Sequence, residues 1–248
     1  MKIFAHRGVS HKEADENSLE AFCAAVNFGI DGIELDVRLT KDGIAVITHD
    51  KDLRRIAGDN RFVEDLTLEE LQKITLRKGS SIPALDDVTA CTPAPVQLDF
   101  EVKDAKALDV IVRKLRTSKG LRERSIISTF NHDVIERAHA ELPEVPRILL
   151  RRRWPVRLQV FGDWMQDVKL YGIGLTCTVW TAHRVEWLEG QGRKAIAWEP
   201  FGLRSSKRRA RRLADMGIEI AIVNQPGAYR VASSWKLGRK NLPNNPRY

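Results

Sequence analysis

Short β-rich runs recur along the whole chain, and stretches with the spacing of amphipathic helices separate most of them. This alternation is typical of βα units that build a parallel sheet. The nine runs are KIFAHRG, GIELDVRL, IAVITHD, VQLDFEVK, SIISTF, RILLR, YGIGLTCT, KAIAWEP and IEIAIVN. Nine strands are one too many for an eight-stranded barrel, so one run needs a different place.

The second and third runs are separated only by the turn Lys41-Asp42-Gly43. Parallel neighbours need a crossover of about a dozen residues or more, so these two runs are predicted to form an antiparallel hairpin. The eight remaining runs fit a TIM (β/α)8 barrel with a β-hairpin after strand 2.

We expect a single barrel domain over residues 1–248, because barrels of this length commonly form one domain. Its first helix has a candidate cap at Asn17, with Glu20 placed as in a capping box, and Gly29 ends it. The segment at about 51–92 replaces a simple crossover and is predicted to be a small insertion over one end of the barrel, with a Thr-capped helix in EDLTLEELQKI. The polar, proline-containing end at about 233–248 is predicted to be a mobile tail or a docking arm.

The composition indicates an ordinary globular protein, since 43% of the residues are hydrophobic and 30% are charged. No apolar run reaches the length of about 18 residues that a membrane span needs, and the N-terminus does not resemble a secretory signal. A cytoplasmic location is therefore expected. The three cysteines are widely spaced without a CxxC pair, which argues against a zinc-thiolate site or a disulfide framework.

A net charge of +8 raises the question of an anionic partner. Much of the excess lies in two clusters at 151–157 and 204–212 that contain no acidic residue. On a helix the second cluster would spread around all faces, which favours a solvated helix and leaves transient contact with an anionic surface open. We expect a small-molecule partner, no nucleic acid and no stable membrane insertion; a homo-oligomer stays open.

Chemistry in such barrels takes place at the C-terminal ends of the strands. The polar residues predicted to lie at that rim are His6, Arg7, Glu34, Asp36, His49, Glu101 and Lys103. Residues two apart on a strand share a face, so Glu34 and Asp36 point the same way. A tight turn at 41–43 pairs residue 40 with about 44 and residue 36 with about 48, which brings His49 back beside the two carboxylates.

Clustered carboxylates repel one another and need a positive partner. Glu34, Asp36 and Glu101 offer only oxygen, which suits Mg2+ or Ca2+ better than zinc. The alternative is that each acid makes a separate structural salt bridge, and Asp99 is left open between a site role and support of Lys103.

Two histidines beside a metal can donate and accept protons near neutral pH, which makes His6 and His49 a candidate acid and base. Arg7 and Lys103 supply fixed positive charge for a phosphate. The remaining histidines are expected to be surface or structural residues; these are His11, His132, His139 and His183.

Short motifs surround the candidate residues. They are HRG at 6–8, ENS at 16–18, IELDV at 33–37, TKDG at 40–43, HD at 49–50 and FEVK at 100–103, with a looser ISTF at 127–130. In this order and spacing they resemble the glycerophosphodiester phosphodiesterase family. The similarity is dense over residues 3–103.

The resemblance implies a TIM barrel of the phospholipase C-like phosphodiesterase type. It implies that Glu34, Asp36 and Glu101 bind one divalent cation, that His6 and His49 act as acid and base, and that Arg7 and Lys103 hold the phosphate. The implied reaction is hydrolysis of a glycerophosphodiester to sn-glycerol 3-phosphate and an alcohol.

The C-terminal half departs from the family pattern. WEPF at 198–201 keeps only the tryptophan of a Trp-Thr-Val-Asn segment, and VNQP at 223–226 replaces a Thr-Asp-containing end of the last strand. Trp198 is a candidate substrate wall, with barrel packing as its alternative role.

Two other functions remain as alternatives. A lysophospholipase D-like enzyme would need an apolar groove beside the rim. A noncatalytic protein that binds anionic surfaces would use the basic clusters and would leave the acidic rim unexplained.

Overall fold

The structure is a computed structural model that describes residues 1–9 and 14–230. The predicted tail at about 233–248 and His11 lie outside the described residues.

Eight parallel strands form a closed ring. They are β1 (Lys2–His6), β2 (Gly32–Leu39), β4 (Gln97–Val102), β5 (Ser125–Thr129), β6 (Arg147–Arg151), β7 (Gly172–Thr176), β8 (Lys194–Trp198) and β9 (Ile220–Val223). Each strand pairs with the next around the ring, and β1 closes it by pairing with both β9 and β2. The predicted TIM barrel is confirmed.

The ninth strand, β3 (Ala45–Ile47), lies outside the ring and pairs antiparallel with β2. Val37 is opposite Ile47, and the amide of Thr48 donates to the carbonyl of Asp36 at 2.9 Å. The predicted hairpin and its register are therefore confirmed.

Helices cover the outside of the ring. Those of the described residues are α1 (Leu19–Phe28), α2 (Arg54–Ala57), α3 (Leu68–Gln72), α4 (Leu85–Cys91), α5 (Ala107–Thr117), α6 (Lys119–Arg122), α7 (His132–Glu141), α8 (Leu158–Asp167), α9 (Ala182–Gly190), α10 (Lys207–Asp215) and α11 (Gly227–Arg230). Among them, the structure shows no helix with the length and apolar character that crossing a membrane requires.

The predicted cap of α1 was wrong by one residue. Ser18 is the N-cap, and its hydroxyl accepts a hydrogen bond from the amide of Ala21. Asn17 has a φ of 57°, a left-handed conformation that does not suit an N-cap, and its side chain donates to Asp36 instead. Gly29 ends the helix in the left-handed conformation, as predicted.

The segment at 51–92 divides into two parts. Its first part packs a small core of its own, which includes Leu53, Ile56 and Leu71, and Thr67 caps α3 in a capping box with Glu70. Helix α4, in contrast, contacts α1 and contributes to the layer between barrel and helices. The predicted insertion therefore ends in an ordinary barrel helix.

Apolar side chains fill the inside of the barrel. They are Phe4, Ile126, Ile148, Leu150, Ile196, Ile220 and Ile222. Gly32 makes room for the ring of Phe4, since a Cβ there would lie 2.6 Å from the ring. His6 is two residues beyond Phe4 on the same face, so the polar site begins where this apolar filling ends.

Candidate active site

The strand register brings the predicted acidic residues and histidine together. His6 on β1 is level with Glu34 on β2, and Asp36 is level with Glu101 on β4. All four side chains are buried. Because the pairs lie at the C-terminal ends of neighbouring strands, they form one cluster rather than separate salt bridges.

The three carboxylates are close enough to share one ion. Glu34, Asp36 and Glu101 each offer an oxygen, and these oxygens lie within 4.8 Å of one another. Burial and the neighbouring carboxylates raise the pKa of Glu34 and that of Glu101. Burial also disfavours ionised Asp36, but Lys103 and Arg7 outweigh it and hold the pKa of Asp36 below its usual value.

Two cations lie against the carboxylates. Arg7 Nε is 3.1 Å from Asp36, and its Nη1 is 2.7 Å from Glu16. Lys103 Nζ is 3.0 Å from Asp36 and also donates to Glu101. Arg7 has a φ of 59°, so the HRG turn bends the backbone in a conformation rare for a residue with a side chain.

The donor set fits a divalent cation. Glu34 Oε1 is buried without a hydrogen-bond partner among the described residues, although buried carboxylate oxygens are nearly always satisfied. An all-carboxylate set suits Mg2+ or Ca2+. With two fixed cations beside three carboxylates, one divalent ion together with one phosphodiester anion would bring the charges of this cluster to neutrality.

Asn224 fixes the orientation of His6. The side-chain amide of Asn224 donates to the carbonyls of Pro200 and Leu203, at 2.8 and 2.9 Å, so its Oδ1 faces His6 Nδ1 at 2.8 Å. An acceptor in that position requires a proton on Nδ1, which leaves Nε2 free on the side of Glu34, 3.9 Å away. Burial, assisted by Arg7, lowers the pKa of His6 to about 4.

His49 follows β3 and pairs with its neighbour Asp50. Its Nδ1 lies 2.7 Å from Asp50 Oδ1, while Arg55 Nε lies 2.5 Å from the other oxygen of that carboxylate. Partial burial raises the pKa of Asp50, but the hydrogen bonds from His49 and Arg55 bring it below its usual value. Arg38 Nε donates to the carbonyl of His49, which holds the backbone in place.

A cavity of about 880 Å3 opens at these strand ends. The cavity is lined by the predicted polar residues His6, Arg7, Glu34, His49, Glu101 and Lys103. Three aromatic side chains also line it: Phe130, Trp198 and Phe201. The ring of Trp198 meets that of Phe130 edge-on, with centroids 6.2 Å apart. The structure thus places every predicted site residue at this cavity except Asp36, which lies fully buried behind it.

Three residues of the site were not among those predicted from the sequence to belong to it. Asn17 Nδ2 donates to Asp36 at 2.7 Å, and Glu16 binds both Arg7 and Arg55. Both belong to the quoted ENS motif, which was the only signal for them. Asn224 belongs to VNQP at 223–226. This segment departs from the family pattern, but nothing in the sequence indicated that Asn224 would bind His6.

The other histidines and Asp99 differ in position. His132 lines the outer part of the cavity, which the sequence did not indicate, whereas His183 is exposed and His139 is half-buried elsewhere. Asp99 is fully buried beside Glu34 in the register, and burial raises its pKa to about 8.

Sequence comparison connects the chain to named proteins. The model of the glycerophosphoryl diester phosphodiesterase family matches residues 6–228. A glycerophosphodiester phosphodiesterase from Caldanaerobacter subterraneus is 36% identical over 143 residues, which are 52% of this chain and 58% of that protein. Glycerophosphodiester phosphodiesterase 1 of Bos taurus is 30% identical over 208 residues, 75% of this chain and 61% of that protein. The chain therefore spans less than two thirds of either relative.

Solved structures share the fold over nearly all of the chain. A glycerophosphodiester phosphodiesterase from Thermotoga maritima superposes with a TM-score of 0.76 at 25% identity, over 90% of this chain and 94% of that one. An Oleispira antarctica phosphodiesterase in complex with the product sn-glycerol-3-phosphate superposes with a TM-score of 0.82 at 24% identity, over 94% and 96%. The resemblance seen in the motifs is confirmed, and the chain belongs to the glycerophosphoryl diester phosphodiesterase family.

Proposed function

We propose that the protein is a metal-dependent phosphodiesterase that hydrolyses glycerophosphodiesters to sn-glycerol 3-phosphate and an alcohol. The observation that carries this proposal is the cluster of Glu34, Asp36 and Glu101 beside two histidines at one cavity. Family membership supports the reaction class, and the named product of the Oleispira enzyme supports the glycerol phosphate side.

The three carboxylates would hold one divalent cation, which supplies Lewis-acid polarisation of the phosphate when it is bound. Arg7 and Lys103 line the cavity and neutralise the negative charge that develops on the phosphate oxygens. Glu16 and Asp36 hold the Arg7 guanidinium in place, so it does not need to reorganise during the reaction.

His6 and His49 act as the proton acceptor and donor. Each has its Nδ1 bound to a neighbouring oxygen, Asn224 for His6 and Asp50 for His49, so each presents Nε2 for proton transfer. The site of His6 favours a neutral ring, because burial lowers its pKa, and this suits removal of a proton from the nucleophile. His49, whose Nδ1 pairs with the Asp50 carboxylate, then protonates the leaving alkoxide. Burial, together with Lys103 and Arg7, lowers the pKa of His49, and the hydrogen bond with Asp50 opposes that shift.

A substrate panel tests the proposal. We expect turnover of glycerophosphodiesters with Mg2+ or Ca2+, loss of turnover in chelator, and faster turnover of glycerophosphodiesters than of lysophospholipids. Release of sn-glycerol 3-phosphate is the measurement. Faster turnover of lysophospholipids would favour the lysophospholipase D alternative, and turnover unaffected by chelator would contradict the metal site. A cyclic phosphate trapped with a slow substrate would identify the glycerol 2-hydroxyl, rather than water, as the nucleophile.

Substitution of either histidine separates catalysis from metal binding. We expect His6→Gln and His49→Gln to lower kcat by about a hundredfold or more, because each removes one proton-transfer step. Calorimetric titration with the metal should show retained binding in both variants. Glu34→Gln is the matched comparison, since it should weaken metal binding itself. Turnover near that of the unmodified protein in either histidine variant would contradict the two-histidine scheme.

A further inference from the structure

The basic cluster at 151–157 begins at the catalytic face of the barrel. Strand β6 ends at Arg151, so the residues that follow form the loop at its C-terminal end. Loops at this end of parallel strands surround the active site of such barrels. The proposed hydrolysis assigns no role to this cluster, although its second residue, Arg152, lines the same cavity as the site residues.

Arg152 is an unpaired cation on the cavity wall. Its side chain lines the cavity together with His132 and Leu150, and it makes no ion pair or hydrogen bond with any residue in 1–9 or 14–230. Arg151, by comparison, lies over the ring of Phe161 at 5.3 Å and reaches His132 Nε2 at 3.4 Å. The guanidinium of Arg152 is therefore available to a ligand.

The rest of the cavity offers little to a cationic group. Over the described chain, its only lining carboxylates are Glu34 and Glu101, both in the acidic cluster. Protein cations already lie over two of its aromatic rings, with Arg7 4.7 Å from the centre of Phe201 and Lys103 6.0 Å from that of Phe130. A quaternary ammonium group binds best to free aromatic faces, and of the phenylalanine and tryptophan rings in the described lining only Trp198 has no protein cation over it. Without a carboxylate outside the acidic cluster, a choline-like group is disfavoured here.

We propose, on the basis of the proposed function, that the part of the cavity lined by His132, Leu150 and Arg152 binds a leaving alcohol that carries a second phosphate, with Arg152 as the ligand of that phosphate. A guanidinium binds phosphate oxygens through two parallel hydrogen bonds, a geometry that an ammonium cannot provide. The second phosphate can belong to a phosphomonoester, as in a phosphorylated polyol, or to a phosphodiester, as in a deacylated double-headed phospholipid.

Matched substrates test this specificity. Glycerophosphoinositol is compared with its 4-phosphate, and glycerophosphoglycerol with bis(glycerophospho)glycerol, with glycerophosphocholine as the cationic case. We expect kcat/KM for each substrate with a second phosphate to exceed that of its partner with a single phosphate by about tenfold, the effect of one charge-assisted hydrogen bond. A preference seen only in the inositol pair assigns the second phosphate to a monoester. A preference seen only in the glycerol pair assigns it to a diester.

Two variants connect the preference to one side chain. Arg152→Gln should lower the ratio of kcat/KM between substrates with a second phosphate and those with a single phosphate by about tenfold, and Arg152→Glu should lower it further. Arg153→Gln removes the same charge from the adjacent exposed position, outside the cavity lining, and should leave the ratio unchanged.

The outcomes separate this inference from the proposed function. Turnover without a preference for the second phosphate, or equal loss of the preference in Arg152→Gln and Arg153→Gln, overturns the role of Arg152 alone. Absence of turnover on every diester overturns the proposed function and this inference with it.

Discussion

At the scale of single residues, the asparagine opposite His6 determines which ring nitrogen is left free for the proposed proton transfer. Asn224 uses its amide nitrogen for two backbone carbonyls and its oxygen for His6 Nδ1. Its backbone amide also donates to the buried carboxylate of Glu199, which in turn binds Arg209 and Tyr229. The orientation of His6 is therefore supported by a network that reaches α10 and α11.

Substitution of Asn224 should affect turnover more than substrate binding. We expect Asn224→Leu to lower kcat about ten- to a hundredfold, the usual effect of losing a residue that orients a catalytic or ligating group, with a small change in KM. Asn224→Asp keeps an acceptor for Nδ1 and should retain more activity. Gln225→Leu at the adjacent exposed position is the control. Steady-state kinetics at fixed metal is the measurement, and an unchanged kcat in Asn224→Leu would contradict the positioning role.

The sequence predicted the charged residues of the site but not the residues that orient them. The shared position of Glu34, Asp36 and Glu101 could be predicted from two general rules. Residues two apart on a strand share a face, and the active sites of such barrels lie at the C-terminal ends of the strands. Asn224 could not, because it lies 218 residues from His6 and a polar residue after a strand has many partners available. Only the closed barrel, in which β9 neighbours β1, brings the two side chains together.

At the scale of elements, the HRG turn connects β1 to α1 by close backbone packing. Gly8 has a φ of 80°, and a Cβ there would lie 2.7 Å from the backbone of Ala21 in α1. The amide of Val9 donates to the carbonyl of Ala21 at 2.9 Å. The sequence misplaced the cap of α1 at Asn17 because that residue is itself left-handed and its side chain donates to Asp36.

Alanine at Gly8 should destabilise the fold for two reasons that a control can separate. The left-handed backbone costs about 1 kcal/mol for a residue with a Cβ, and the clash with α1 adds a cost of about 1–3 kcal/mol. Gly43 has a φ of 75° in open space, so Gly43→Ala carries only the first cost. Urea unfolding should show the larger loss for Gly8→Ala. Equal losses in the two variants would contradict the close packing.

At the scale of the whole molecule, the interior contains several buried carboxyl groups, and the folded chain keeps at least one of them protonated. Asp99 is buried level with Glu34 of the acidic cluster, and burial raises its pKa from 3.8 to about 8. The folded protein therefore keeps a proton on this carboxyl at pH values where the unfolded chain has released it.

Stability without metal should fall as pH rises through this window. Because folding takes up the Asp99 proton between its usual pKa and about 8, this group makes the free energy of unfolding decrease by about 1.4 kcal/mol per pH unit there. Urea unfolding in chelator at pH 5, 6 and 7 measures the slope. Asp99→Asn, which stays neutral, should have a slope smaller by about that amount. An unchanged slope in Asp99→Asn would contradict the buried, protonated state.

The arrangement along β2 has a consequence for redesign of the chain. Strand β1 pairs with the first half of one edge of β2, and β3 pairs with the last part of the same edge. Between them the amides of Arg7 and Thr48 bond to the carbonyls of Glu34 and Asp36, and Arg55 of the 51–92 segment binds Glu16. The amide of Ile47 on β3 donates to the carbonyl of Pro83, so the segment also supports, through β3, the strand that carries Glu34 and Asp36. A shortened version of the chain would have to preserve this contact.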